Sequence, residues 1–533
     1  MKALNILTRI KNFFKIGGAK LGLTQNLEKV TDDPRVTIPS SEYGRIREAK
    51  AYYANDLKEV TFHDARGRAY KRQLNSLNIT KMASRRLASI IFNEGCEVSV
   101  DDKKADKVVQ QVLQASDFNE NYETFLEKWI ALGSGCIRPT ISNGKIVLSW
   151  AVADQVYPLN VNTSEVNEIA IAFKSQQAEN RQTVYYTLLE FHQWDQNTGD
   201  YTITNELYRS TQKDTVGIQV SLDTLDEYAS LQPSVKFHNI TKPLFAFYKN
   251  PGANNINLDS PLGLGIVDNA KTTVDAINRT HDEFVEELIK GRRRILAPDY
   301  MFQGASESNE LNQFANKTHP PLLPEDETVF QMYYGSNSDE DKIVDLTVPI
   351  RVDDYTKAMD FWLNEFERET GLSQGTFTST PQGIQTATEV VSNNSTTYQT
   401  RSSYLTMVEK NIYALIYAIL ELAQYTDLLD PDYQWTGDIE AVKPNFKPND
   451  GVFIDQDKQK QEDLQAVAGN ALPKRIMWIR DYGIDDATAD EWWKMLQEES
   501  GQPDPDGEIG LYASGGDDNN DEEDDTESDA EGS

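Results

Sequence analysis

The densest ionisable clusters in this 533-residue chain are an acidic set, Asp282, Glu283, Glu286 and Glu287, and a basic set close behind it, Lys290, Arg292, Arg293 and Arg294. Paired carboxylates can act as general acid and base or hold a divalent cation. Here the spacing puts them largely on the polar side of one helix, in a chain of formal net charge −33, so they read as solvated surface. The basic set supports two readings. It could contact nucleic-acid phosphate or dock an acidic partner, or its charges could offset a helix macrodipole and cover the last carbonyls.

Other chemistry has little footing. His281 lies in an apolar helical seam and reads as a packed core or interface histidine. Cys96 and Cys136, the only cysteines, lack metal-site spacing and are too few for a disulfide scaffold; both read as buried small residues. Gly133-Ser134-Gly135 follows a helix and precedes a strand, the wrong order for a dinucleotide fingerprint, and no GxxxxGK[ST] phosphate loop occurs. With no Ser/His/Asp or Cys/His set in view, no catalytic residue, metal or cofactor is assigned and the chain is read as a non-enzyme.

Charge narrows the partners. Thirteen acidic residues and no basic one lie from Asp504 onward, giving a stretch with the composition of a disordered, solvated tail. Even without it the chain is strongly acidic, so it should repel DNA over most of its surface rather than grip it. No window approaches eighteen uninterrupted apolar residues, which argues against a membrane span. The N-terminal Leu4, Leu7, Ile10, Phe13 and Phe14, interleaved with lysines and Arg9, read as an amphipathic arm or a short helix folded on its own domain, not a signal peptide.

Periodicity supplies the elements that would position these residues. Helical patterns cover 43–54, 77–92 (Met82, Leu87, Ile90 and Ile91 forming its apolar face) and 120–132. Asn143-Gly144 between two β-type runs predicts a tight hairpin. Further strands are expected at 168–174, 183–194, 201–209 and 235–240. Residues Ala270, Val274, Ile277, His281, Phe284 and Leu288 form a heptad-like seam that stops at Gly291, and Tyr355, Met359, Trp362 and Phe366 form a second one that stops at Gly371. A Pro-rich, β-containing stretch separates them, so the two helices should pair with a small β knob at one end. After Gly371 comes an uncharged Gly/Ser/Thr/Pro loop. The capping box Thr386–Glu389 then opens a long helix to about Thr426, whose polar first half would need tertiary support. A strand near 451–454 and short helices at 458–468, 473–482 and 487–498 complete an α+β, helix-rich chain.

Three phrases carry a resemblance: KWIALGSGCIRPTISNGKIVLSWAVADQVYPL at 128–159, IKGRRRILAP at 289–298, and GLSQGTFTSTPQGIQTATEVVSNNSTTYQTR at 371–401. With the order of elements around them, the chain resembles the portal proteins of tailed bacteriophages, in particular the family of long-tailed phages of Gram-positive bacteria. The resemblance implies an α/β wing (41–260), two stem helices (261–290 and 353–372) around a small β-containing clip (291–352), and a tunnel loop (373–385). A long kinked helix (386–426) and a wing return strand with a helical crown (427–500) follow; the N-terminal arm (1–40) and the acidic tail (501–533) lie outside the resemblance. It further implies a homo-oligomeric ring, expected to be a dodecamer, that carries double-stranded DNA at a capsid vertex for packaging and ejection. The implied partners are a terminase motor, a head–tail adaptor, and major capsid and scaffold proteins, with no membrane; the implied location is the virion, after assembly in the host cytoplasm. On this reading Gln374, Thr376, Phe377, Thr378 and Gln382 lie nearest the DNA. Two readings stay open beside it: another virion head or minor capsid protein, and a metal-dependent hydrolase using Asp/Glu clusters.

Overall fold

The computed structural model describes residues 26–64, 66–162, 165–179, 181–195, 198–301, 306–307, 317–318, 330–334, 342–378, 395–449, 456–469 and 471–500. Gln382, the Thr386–Glu389 box, the expected strand at 451–454 and the acidic tail lie outside them.

The described helices are α1 (Ser40–Ala54), α2 (Ile79–Ile91), α3 (Lys103–Ala115), α4 (Phe118–Leu132), α5 (Lys271–Lys290), α6 (Val352–Thr370), α7 (Ser395–Ala423), α8 (Gln456–Ala468), α9 (Lys474–Tyr482) and α10 (Asp486–Ser500). With several sheets between them they make a mixed α+β chain. The chain divides into two compact units, residues 1–453 and 454–533.

The hairpin forms as expected. Strands Ser134–Ser142 and Lys145–Val152 pair antiparallel, with Asn143 and Gly144 both at positive φ, 49° and 80°, the conformation a two-residue turn of this twist demands. Strand Ala246–Lys249 joins the other edge. A larger antiparallel sheet runs Asn26–Leu27, Gly217–Val220, Tyr201–Ser210, Gln182–Trp194, Glu165–Glu179 and Val156–Asn162, with Ser234–Phe237 also on Tyr201–Ser210. Residues 26–39, expected to close an arm, lie against this sheet: Leu27 and Val30 are buried, and Arg35 bonds Asp33 and Glu206 while stacking over Phe191.

The core of the first unit is aromatic. Trp129, with no exposed surface, packs among Tyr122, Phe125, Trp150 and Tyr248. Gly133 and Gly135 serve this packing. Gly133 ends α4 at φ 98°, against the backbone of Gly263, and a Cβ at Gly135 would sit 1.8 Å from Trp129 Nε1. Both cysteines are buried, and burial pushes the Cys136 thiol well above its ordinary range.

Two expectations need correction. Met82 is 53% exposed; the buried face of α2 is instead Ile79, Ala83, Leu87, Ile90 and Ile91, a stripe that leaves Met82 outside it. Helix α3 is not among the predicted elements, although Asp102 caps it by accepting from the amides of Lys104 and Ala105 and its apolar residues Val108, Val109, Val112 and Leu113 are buried.

Candidate functional site

The two seams meet. Helices α5 and α6 pair antiparallel: Phe284 packs on Tyr355 with ring centroids 5.3 Å apart, and Glu287 holds Arg351 through Oε2···NH2 at 2.5 Å and a backbone amide at 2.9 Å. The Arg351 guanidinium holds the Glu287 carboxyl down to about 2. Within the α5 seam Val274 and Ile277 are buried, whereas Leu288 is 41% exposed, so the seam is sealed at its start and open at its end. His281 donates from Nδ1 to Asn75 O at 2.7 Å; the acceptor carbonyl fixes that tautomer.

The acidic set is not uniformly solvated surface. Asp282 is buried, gripped by Arg72 at 2.6 and 2.9 Å and by the Asn75 amide at 2.8 Å, and Glu286 shares the Arg72 guanidinium at 3.2 Å. Burial opposes ionisation of Asp282, but these bonds outweigh it and hold the carboxyl below its ordinary range. Its position on the charged stripe of α5 concealed this, because Arg72 comes from a hairpin some two hundred residues earlier. Together with Asn278 Oδ1 accepting from the Leu77 amide, these carboxylates clamp α5 to the 72–77 segment, and no open acid pair remains there. No metal-ligand cluster occurs among the described residues, and none of their helices is long and apolar enough to cross a membrane.

The basic set spans a helix end and a strand. Lys290 lies in the last turn of α5 and bonds Glu286 at 2.9 Å, while Gly291 ends the helix. Arg292 and Arg293 are exposed and Arg294 is half-buried just before strand Ile295–Pro298. The macrodipole role therefore falls to Lys290 alone. Strand Ile295–Pro298 is the centre of a small sheet, parallel to Phe330–Tyr333 and antiparallel to Val344–Asp345, the β knob expected between the two helices. Its surroundings expose apolar side chains: Met332 is 65%, Tyr334 97% and Val348 67% accessible.

At the other end of α6 the uncharged loop begins. Gly371, at φ 71°, closes the helix, and its carbonyl accepts from Thr400 Oγ1 on α7 at 2.7 Å. Ser373 and Thr397 share three further bonds, Ser373 N to Thr397 Oγ1 at 2.8 Å, Thr397 N to Ser373 Oγ at 3.1 Å and Thr397 Oγ1 to Ser373 Oγ at 3.0 Å. The loop then folds over a buried carboxylate that sequence reasoning missed. Glu367, fully buried, accepts from the amides of Phe377 at 2.6 Å, Thr378 at 3.2 Å and Gly375 at 3.3 Å. Of the loop residues singled out from sequence, Gln374 is exposed, Thr376 and Thr378 are half-buried, and Phe377 is half-buried against Phe366 with ring centroids 6.1 Å apart.

Helix α7 receives the tertiary support its polar start calls for. Arg401, buried, donates to Ile90 O at 2.6 Å and Asn449 O at 3.0 Å; Asn411 bridges Tyr122 and Ala246 O; Glu421 accepts from Thr241 and Lys242. A second buried polar group, also missed, joins Glu190, His192, Tyr201 and Arg138: His192 lies 2.6 Å from Glu190 and 2.9 Å from the Tyr201 hydroxyl. His192, Tyr201 and Glu190 have little or no solvent access, so the group holds strands together and offers no surface to a substrate.

Comparison with known proteins adds the following. No curated protein matches the chain. Among solved structures the chain is similar to one in "Neck of native GTA particle computed with C12 symmetry", at 11% identity and a TM-score of 0.37, covering 82% of this chain and 97% of that one. The family model described as "Phage portal protein, SPP1 Gp6-like" matches residues 36–502. That match spans the large sheet apart from its edge strand Asn26–Leu27, the paired helices, the β knob, the pinned loop and α7, and the chain belongs to the SPP1 Gp6-like family of phage portal proteins.

Proposed function

We propose that the chain forms a ring of about twelve copies at one vertex of a phage capsid, and that double-stranded DNA passes through this ring during packaging and ejection. In this reading residues 41–260 are the wing, α5 and α6 the stem, 291–352 the clip and 373–385 the tunnel loop. The long helix, 386–426, leads to a crown within 427–500. The observation that carries it is the family match over residues 36–502. The antiparallel α5–α6 pair with a β sheet at one end and a pinned polar loop at the other supports the assignment of parts.

The mechanism is passive. B-DNA is a densely charged rod, and each tight phosphate contact would have to be broken for the duplex to advance. An acidic subunit of formal charge −33 that presents neutral Gln, Thr and Gly side chains to the bore gives steric contact without electrostatic capture. Gln374, Thr376, Phe377, Thr378 and Gln382 are the candidate DNA-facing residues, with Gln374 favoured among the described ones because it is exposed. ATP hydrolysis belongs to a separate terminase motor docking at the clip, where Lys290, Arg292, Arg293 and Arg294 offer cationic contacts to an acidic partner or to phosphate; a head–tail adaptor later takes the same end. Major capsid and scaffold proteins surround the ring, which assembles in the host cytoplasm and ends in the virion. Deleting Thr378–Gln382 should leave rings intact and sharply reduce DNA-filled heads; normal yields of filled heads in that deletion would remove the tunnel assignment.

A further inference from the structure

The three amides that converge on Glu367 form a concavity of N–H donors, the backbone arrangement that binds anions. Gly375 sits at φ 89°, a turn conformation that favours glycine, its amide is shared between Thr378 Oγ1 at 3.0 Å and Glu367, and the carboxylate of Glu367 fills the space from the adjoining helix end. Both carboxylate oxygens are used. Oε1 takes the Phe377 and Thr378 amides; Oε2 takes Gly375 N and lies 3.4 Å from Thr378 Oγ1. A buried carboxylate with no ion pair among the described residues is costly unless its hydrogen-bonding capacity is met, and here the loop's own backbone meets it. The ring of Phe377 on Phe366 and the Ser373–Thr397 bonds close the arc on either side.

Resting on the channel reading, we propose that Glu367 is a positioning residue for DNA transit. Its carboxylate fixes residues 374–378 as a rigid arc on the end of α6, so that Gln374 faces outward. It also occupies the amides of Phe377 and Thr378, which would otherwise be free to take a phosphate, and shares that of Gly375 with Thr378 Oγ1 at 3.0 Å. The arc is thus set within one subunit, before any neighbour or DNA arrives. Its polar side chains are offered to the duplex while its backbone donors are already spent. An acid in the last turn of α6 is therefore no ordinary surface glutamate: a glutamine of the same shape would turn one acceptor oxygen into an NH2 donor facing an N–H.

The test uses full-length rings carrying Glu367→Gln. Hydrogen exchange at the amides of Gly375, Phe377 and Thr378 should quicken by at least about tenfold, the loss expected for charge-assisted bonds. Ring formation by native mass measurement should be unchanged and the yield of filled heads should fall. Unchanged exchange at those amides would overturn the proposal outright. Faster exchange with wild-type packaging would overturn the positioning role. In that event the Thr378–Gln382 deletion separates the causes: a deletion that still packages means the channel reading failed, and one that does not means only the Glu367 role failed. If Glu367→Gln chains make no rings, Thr378→Val removes a single hydroxyl from the same carboxylate and should quicken exchange a few-fold in the same amides; no change there would likewise overturn the proposal.

Discussion

The sheet-bearing body around α7 and the helical excursion from Lys271 to Thr370 bury their residues in opposite styles. In the body, the aromatic core packs within one subunit, and three polar side chains of α7 that penetrate it find partners in the same subunit: Arg401 in carbonyls, Asn411 in Tyr122 and Ala246, Glu421 in Thr241 and Lys242. The excursion starts the same way, with Val274, Ile277 and Asp282 buried, and then opens. Leu288, Ile289, Met332, Tyr334 and Val348 face solvent, and beside the Phe284–Tyr355 contact and a short β ladder its parts are linked by exposed ion pairs, Glu287–Arg351 and Arg293–Asp345. A surface this apolar is not what an isolated subunit needs. Side-by-side copies in the proposed ring would cover it.

The sharpest way to break this contrast is inside the body. Trp129→Ala should cost about 3–5 kcal/mol in denaturant unfolding, because the ring packs among four aromatic neighbours that cannot all close the void; a loss below about 1 kcal/mol would mean the body is not tightly packed. Glu421→Ala should cost about 1 kcal/mol by the same measurement, since it removes a buried acceptor from the amides of Thr241 and Lys242, which lie at the surface and can turn to water.

At the junction of the two regions, Asp282→Asn should cost about 1–2 kcal/mol at neutral pH, allowing for the solvent around Arg72. Because the folded carboxyl is held below its unfolded value, the wild-type advantage is complete above the ordinary aspartate range, about 4, and drains as pH falls through that range toward the folded value. Unfolding of both proteins across pH 8 to 3 checks the sign; an advantage that grows in acid would contradict it.

In the excursion the effects on the single subunit should be small. Val348→Ser should change the stability of the dissociated chain by less than about 0.5 kcal/mol while lowering the melting temperature of assembled rings; equal effects in both states would erase the contrast. Lys290→Gln, which removes the only cation in the last turn of α5, should cost a few tenths of a kcal/mol.

What the sequence made legible follows the range of the interaction. Local rules worked: Asn143-Gly144 dictates its turn because few other residue pairs accept two positive φ values, and the 4, 3, 4 spacing of the seams located α5 and α6 and their pairing. Gly371 marked a true helix end. Long-range partners were invisible. Asp282 sits on the charged stripe of α5, and nothing local reveals that Arg72 will bury it. Glu367 lies among Glu365, Arg368 and Glu369 and looks like surface until the loop folds back on it. Helix α3 was missed despite its Asp102 cap, because its lysines and glutamines masked the apolar stripe at 105, 108, 109, 112 and 113. Burial of the polar start of α7 likewise depends on Ile90 and Asn449, which no periodicity predicts.

Whether this subunit builds a closed channel is the claim beneath the rest, and native mass measurement with negative-stain imaging of the purified full-length chain tests it most directly. The expected result is a single high-order species, seen end-on as a closed ring around an open bore. A chain that stays monomeric at every salt and protein concentration would contradict it.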